Sequence, residues 1–261
     1  MMMMTLKRNA VQADAKMNGK PKPAKKTVSF RHDVNGDSSS TEIDQKSNTQ
    51  NAVPQIKDSL LLIPIHNILI LGSMFYFGIT QNIEGVLLRS FVTSLPIQAV
   101  YDYILIQSLK KRPKGDNVPL LIVSSLLVSL VLSVPMFLSI VILGAPVFGY
   151  TFKTFLLSLH LSQLVFGPLT VLYSLDFEKF KKLFEYEDIY YTIFSHPILS
   201  QVLLTLGGCW LGVIPIPLDW DRPWQQWPIT LLGGSYVGGV VGGLVSLLMR
   251  TYRKWNKSSS E

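Results

Sequence analysis

Residues 118–144 read VPLLIVSSLLVSLVLSVPMFLSIVILG, a run without one charged side chain. A helix rises about 1.5 Å per residue, so about 20 apolar residues cross the hydrocarbon core of a bilayer. Soluble core helices are rarely this long and this apolar on every side. The run predicts a transmembrane helix, and it sets the class of everything around it.

Comparable runs lie at 59–79, 86–109, 147–173, 196–218 and 228–249. Together they predict an all-α, polytopic membrane protein with about six transmembrane helices. Only Ala145-Pro146 separates the third run from the fourth, so a tight reversal is expected there. The domain organisation follows: a tail over 1–58, a six-helix transmembrane domain over 59–250, and a short basic tail over 251–261.

The first 58 residues are rich in Lys, Asn, Ser, Asp and Gln, and Phe30 is their one aromatic. So little apolar surface does not offset the entropy of ordering the chain, and a disordered tail is expected. Ser38, Ser39, Ser40 and Thr41 offer hydroxyls for phosphorylation, although a plain linker accounts for them as well. Lys7, Arg8 and Lys16 precede no apolar core with a cleavage site, so the first apolar run is expected to direct insertion itself.

Net charge is +7. Nucleic acid is not the expected counter-charge, because the Lys and Arg side chains sit in the tails and in short connectors between apolar runs. Anionic headgroups fit that placement better. Lys110, Lys111, Arg112 and Lys114 occupy one connector, Lys179, Lys181 and Lys182 another, and Arg250, Arg253, Lys254 and Lys257 the C-terminal end. The alternate connectors at 80–85 and 145–146 carry no Lys or Arg, and that at 219–227 carries only Arg222. Positive charge marks the cytosolic side, so both termini are expected there. The lone cysteine, Cys209, excludes an intrachain disulfide and reads as a small packing residue.

Several polar groups fall inside the apolar runs. Arg89 and Lys153 lie near the ends opposite the basic connectors, where long side chains snorkel to headgroups. Asp102 is too short for that and needs a partner, while His66, beside Asn67, and His160, near Gln163, lie deeper. Together His66, Asp102 and His160 suit a proton relay in a transporter; hydrogen bonding between helices is the simpler reading. Gly234, Gly238 and Gly242 repeat every fourth residue in the last run, and Gly208 and Gly212 do so in the fifth. Small residues at this spacing let backbones approach closely. They signal packing rather than chemistry, and leave open whether the neighbour is internal or a second protein.

The connector before the last run is the most distinctive stretch: PIPLDWDRPWQQWPI over 215–229. Its four prolines fix φ and remove four amide donors, which predicts a stiff turn. Trp220, Trp224 and Trp227 suit the headgroup zone. Asp219, Asp221 and Arg222 are close enough in sequence to pair, but two carboxylates with no histidine nearby are a poor metal site. No metal and no cofactor are expected.

This stretch, with Trp210-Leu211-Gly212 before it, resembles the signature of the PIG-F family of glycosylphosphatidylinositol (GPI) anchor biosynthesis. Gly144-Ala145-Pro146, Leu157-Ser158-Leu159 and Pro168-Leu169 are similar to a second block of that family. The resemblance spans roughly residues 60–250. It implies a multi-pass protein of the endoplasmic reticulum membrane, a non-catalytic subunit of complexes that add phosphoethanolamine to GPI mannoses. Catalytic ethanolamine phosphate transferase subunits would be its partners, with membrane lipids and the GPI precursor as further contacts. Short lumenal connectors lacking histidine agree with a non-catalytic role, since metal-assisted phosphoryl transfer calls for several ligands in a shaped cavity. For docking, Trp220 and Trp224 are better candidates than the charges beside them. Two alternatives stand beside this: a carrier of lipid or of a GPI intermediate, and catalysis within the membrane by Asp219, Asp221 and Arg222.

Overall fold

The computed structural model describes residues 53–110, 117–185, 189–218 and 221–259. Residues 1–52 of the tail expected over 1–58, with the Ser38–Thr41 hydroxyls, lie outside the described residues, as do Lys111, Arg112, Lys114, Asp219 and Trp220, whereas 53–58 packs against the bundle with Val53 and Ile56 buried. Helices make up the regular structure: α1 (His66–Tyr76), α2 (Ile83–Ser108), α3 (Val118–Ile142), α4 (Thr151–Tyr173), α5 (Phe177–Lys182), α6 (Ile189–Ser195), α7 (Pro197–Leu211) and α8 (Ile229–Ser258). The chain is therefore an all-α polytopic membrane protein. Four helices, α2, α3, α4 and α8, are long and apolar enough to span a bilayer. The pair α6–α7, bent by 99° at His196, makes a fifth candidate.

The spans expected at 59–79 and 196–218 are shorter than their hydropathy suggested. Pro64 supplies no amide donor and disfavours helix at the residue before it, so the first run breaks into a 3-10 turn at Leu60–Leu62 and then α1. Gly78, at φ +78°, follows the end of α1 and turns the chain. Past Leu211 the chain goes into turns, because Pro215 and Pro217 cannot continue a helix. Between α3 and α4 the reversal is wider than two residues. It takes the whole of 143–150, with Gly144 and Gly149 both at positive φ. Conversely α8 continues beyond 250, carrying Arg250, Arg253 and Lys254 on helix.

The bundle buries polar side chains beside two apolar clusters, and its outer face is apolar as well. On α3 the side chains of Leu120, Val123, Leu127, Val131, Val134 and Leu138 are exposed, while Ser125, Ser129 and Ser133, four residues apart, are buried. Helix α4 is the axis, packed against α2, α3, α7 and α8 and buried over most of its length. Prolines 96, 135 and 168 sit within α2, α3 and α4. Such interruptions are tolerated in spanning helices, where neighbours and Ser or Thr hydroxyls satisfy the freed backbone groups. The Ser139 hydroxyl donates to the Pro135 carbonyl oxygen one turn before it (2.8 Å).

Helices α7 and α8 touch backbone to backbone. A β-carbon added at Gly208, Gly212, Gly234, Gly238 or Gly242 would fall under 3.0 Å from main-chain atoms of the facing helix. The neighbour of this glycine stripe is thus internal. Ser200 adds a hydroxyl hydrogen bond to the Gly242 carbonyl oxygen (2.9 Å). One residue further round, Gly239 and Gly243 form a second stripe against Asn67, Thr205, Ile63 and Pro64.

Gly238→Leu should therefore force α7 and α8 apart and cost about 3 kcal/mol, the upper range for overpacking a tight core. Gly233→Leu, at a position with nothing within 4 Å, should cost about 0.5 kcal/mol or less. Thermal unfolding of the two detergent-solubilised variants separates these outcomes.

Candidate functional site

Polar side chains join α2 to α3, α4 and α7, and α4 to α8. Asp102 on α2 is fully buried; its Oδ1 accepts from Gln98 Nε2 (2.9 Å) and its Oδ2 from Ser125 Oγ on α3 (2.5 Å). His160 on α4 is also fully buried, with Nε2 at 3.0 Å from the Leu87 carbonyl oxygen and Nδ1 at 2.9 Å from the Tyr236 hydroxyl on α8. A carbonyl oxygen only accepts, so Nε2–H donates to Leu87 and Nδ1 accepts from Tyr236. Both ring nitrogens are thereby occupied. Half-buried His66 packs its ring against that of Tyr101 at 4.8 Å, and Tyr101 donates its hydroxyl to the Gln201 side chain (2.7 Å) or the Leu62 carbonyl oxygen (2.9 Å). His66, Asp102 and His160 therefore have separate partners on different helices, and among the described residues no hydrogen bond links any two of them.

Tyr101, Tyr236, Gln98, Gln201 and Ser125 carry this network, and none was singled out from the sequence. Their signal was polar residues recurring every three or four positions on otherwise apolar helices, as with Ser94, Gln98 and Tyr101. Some polar atoms are left over. The Asn67 amide and the Thr205 hydroxyl, both buried, have no hydrogen-bond partner among the described residues, and both lie beside Gly239; Gln163 Nε2 and Thr230 Oγ1 also lack one.

The connector at 215–228 is the second candidate. Gln225, buried at its centre, donates from Nε2 to the carbonyl oxygens of Pro215 (2.7 Å) and Leu218 (3.0 Å). Its Oε1 accepts from the Arg222 backbone amide (2.7 Å). This one side chain replaces hydrogen bonds that four prolines cannot make. Trp227 fastens the loop to α4, its Nε1–H donating to Thr154 Oγ1 (3.0 Å), and Thr154 donates in turn to the Pro146 carbonyl oxygen (2.9 Å). The 143–150 turn and the 215–228 loop thus share one end of the bundle. Asp221, at φ +45°, and Arg222 are exposed at the surface of that loop, and among the described residues no ion pair joins them. Trp224 is 37% exposed beside them. No group of three or more His, Cys, Asp or Glu side chains stands close enough to hold a metal among the described residues.

The family model described as GPI biosynthesis protein family Pig-F matches residues 62–247. A glycosylphosphatidylinositol anchor biosynthesis protein 11 of Candida albicans is 52% identical over 88% of this chain and 97% of its own length. Proteins of the same description are 41% identical in Debaryomyces hansenii, over 90% of this chain and 100% of theirs, and 30% identical in Saccharomyces cerevisiae, over 85% and 93%. No solved structure matches significantly.

Gln225→Ala removes three hydrogen bonds at once and should cost about 1–3 kcal/mol. Limited proteolysis should then cut within 215–228 faster than in the wild type while the helices stay intact. An unchanged cleavage rate would show that the prolines alone hold the loop.

Proposed function

Since the chain belongs to the Pig-F family of GPI biosynthesis proteins and takes part in making GPI anchors, we propose that it binds and stabilises catalytic ethanolamine phosphate transferases. It does so as a non-catalytic subunit in the endoplasmic reticulum membrane. Family membership over most of the chain carries the proposal. Two features of the molecule support it. The deeply buried ionisable side chains of Asp102 and His160 are consumed by hydrogen bonds that hold helices together. The described part of the loop is tied down internally by Gln225, so it presents Trp224 with Asp221 and Arg222 on a preformed surface rather than in an adjustable cavity. A rigid aromatic surface suits recognition of a partner, where a few such residues carry most of the binding free energy. Asp219, Trp220, Asp221, Arg222, Trp224 and Trp227 are the proposed contact residues.

A carrier of lipid or of a GPI intermediate is the second reading, and it rests on the unpartnered Asn67 amide and Thr205 hydroxyl within the bundle. The separate partners of Asp102 and His160 count against proton-coupled transport.

Loss of the protein should lower transferase abundance, and GPI precursors lacking a phosphoethanolamine should accumulate, as read by lipid labelling and mass spectrometry. Normal GPI maturation without the protein refutes the proposal. Asp219→Ala with Asp221→Ala separates docking from catalysis within the membrane. Reduced co-purification of transferase is expected, whereas intact assembly with abolished turnover would assign the chemistry to this loop.

A further inference from the structure

At the end of the bundle opposite the tryptophan loop, the chain just before the first helix lies against the end of α2, the start of α7 and the C-terminal part of α8. Lys57 N–H donates to the Ser108 carbonyl oxygen (2.8 Å) and Lys110 N–H to that of Gln55 (2.9 Å), an isolated β-bridge at the end of α2. His196, at the start of α7, contacts the Pro54 carbonyl oxygen (3.2 Å). Asp58 then reaches α8, where one carboxylate serves two cations. Its Oδ1 accepts from Arg250 Nη1 (2.9 Å) and its Oδ2 from Lys254 Nζ (2.6 Å). The hydrogen bond from Lys254, with the charges of Lys254 and Arg250, holds the Asp58 carboxyl below its usual range, so it is ionised at neutral pH.

Asp58, Arg250 and Lys254 frame the mouth of a cavity of about 140 Å³, and Leu62, Ile63, Pro197 and Leu247 are among the side chains inside it. The mouth is polar and carries one net positive charge; the interior is apolar. Around it stand side chains that water does not favour: Leu60 and Leu61 are 66% and 68% exposed, and Tyr252 and Trp255 on α8 are 68% and 76% exposed. Exposed leucines beside an exposed Tyr and Trp mark the depth where hydrocarbon gives way to headgroups. The cavity is on the order of five water volumes. That is too small for a whole lipid and enough for the link between a phosphate and its first chain carbons.

From these placements we infer that this cavity is a site for one anionic phospholipid of the leaflet on the basic side. Its phosphate is held by Arg250 and Lys254, its glycerol lies in the apolar interior, and its chains run along Leu60 and Leu61. Basic pockets between spanning helices favour anionic over zwitterionic headgroups. Asp58 is the built-in competitor: an arriving phosphate takes over the cations that the carboxylate holds. Position rather than sign separates this site from simple charge attraction to a basic surface: Asp176→Asn, an equal change of charge that frees Lys179 away from the cavity, should leave lipid binding unchanged. Removing a carboxylate 55% exposed on its side chain must tighten lipid binding, and removing Lys254 must weaken it.

The full-length protein in detergent, titrated with phosphatidylinositol, phosphatidylserine or phosphatidylcholine and read by native mass spectrometry, tests the assignment. The anionic lipids should be retained several-fold over phosphatidylcholine. Lys254→Gln should lower their retention about fivefold, the usual contribution of one basic side chain at a membrane surface. Lys254→Arg should restore it, and Asp58→Asn should raise it. Millimolar inorganic phosphate or glycerophosphoinositol should not displace the lipid. Equal retention of phosphatidylcholine, or retention indifferent to both Lys254→Gln and Asp58→Asn, overturns the site. Displacement by free phosphate overturns the lipid as its occupant. Unfolding of the variants without lipid shows whether a lost signal reflects lost fold, and in that case the Asp58→Asn increase alone decides.

Discussion

Within a bilayer there is no water to take a hydrogen bond, so each polar group at membrane depth must be answered by another group of the protein. That constraint acts on this bundle alongside its apolar clusters. Lipid tails are as apolar as leucine, so leucine gains little by turning inward, and on α3 Leu120, Leu127, Leu130 and Leu138 face out while Ser125, Ser129 and Ser133 face in. Helix α4 becomes the axis because it carries His160, Ser162, Gln163 and Thr170, each of which needs neighbours. Its bonds to α2 through Ser94–Gln163 and the Leu87 carbonyl, to α3 through the Ser129 carbonyl, and to α8 through Tyr236 fix its surroundings.

A second contact rests on the absence of side chains. Five glycines bring α7 and α8 within main-chain contact, which replaces interlocking side chains by dispersion between backbones. Helix α7 has only 15 residues, about 22 Å of helix, so by itself it does not cross a typical hydrocarbon core. The close seam lets α8, twice as long, carry its partner. The bend of 99° at His196 and the turns after Leu211 lie at the two ends of that short helix.

Much of this was legible from residue order. The charge-free run 118–144 became α3 within two residues, and the basic residues Lys110, Arg250 and Lys254 lie at the end of the bundle away from the tryptophan loop. The glycine spacing pointed to a close helix contact, though not to its partner. Elsewhere hydropathy misled, because it averages over residues that break helices. Leucines on both sides of Pro64 score as one span, yet a single missing amide splits them. The partners of Asp102 and His160 stayed hidden for another reason. Ser125 and Tyr236 lie 23 and 76 residues away, and which helix faces which is a property of the assembled bundle. Gln225 was overlooked since an amide beside three tryptophans attracts little notice, although it closes the loop.

Asp58 and Arg250 are 192 residues apart in the chain, and their contact joins the opening of the membrane domain to its finish. A ribosome delivers these two groups in order, with the intervening helices made between them, so Asp58 meets Arg250 and Lys254 only once α8 is in place. Val53 and Ile56 do not wait for it, because they belong to an apolar cluster with Tyr101, Leu105, Val171 and Ile198 of α2, α4 and α7. This edge of the bundle therefore closes in two steps, an apolar one with helices already made and an ionic one with the last.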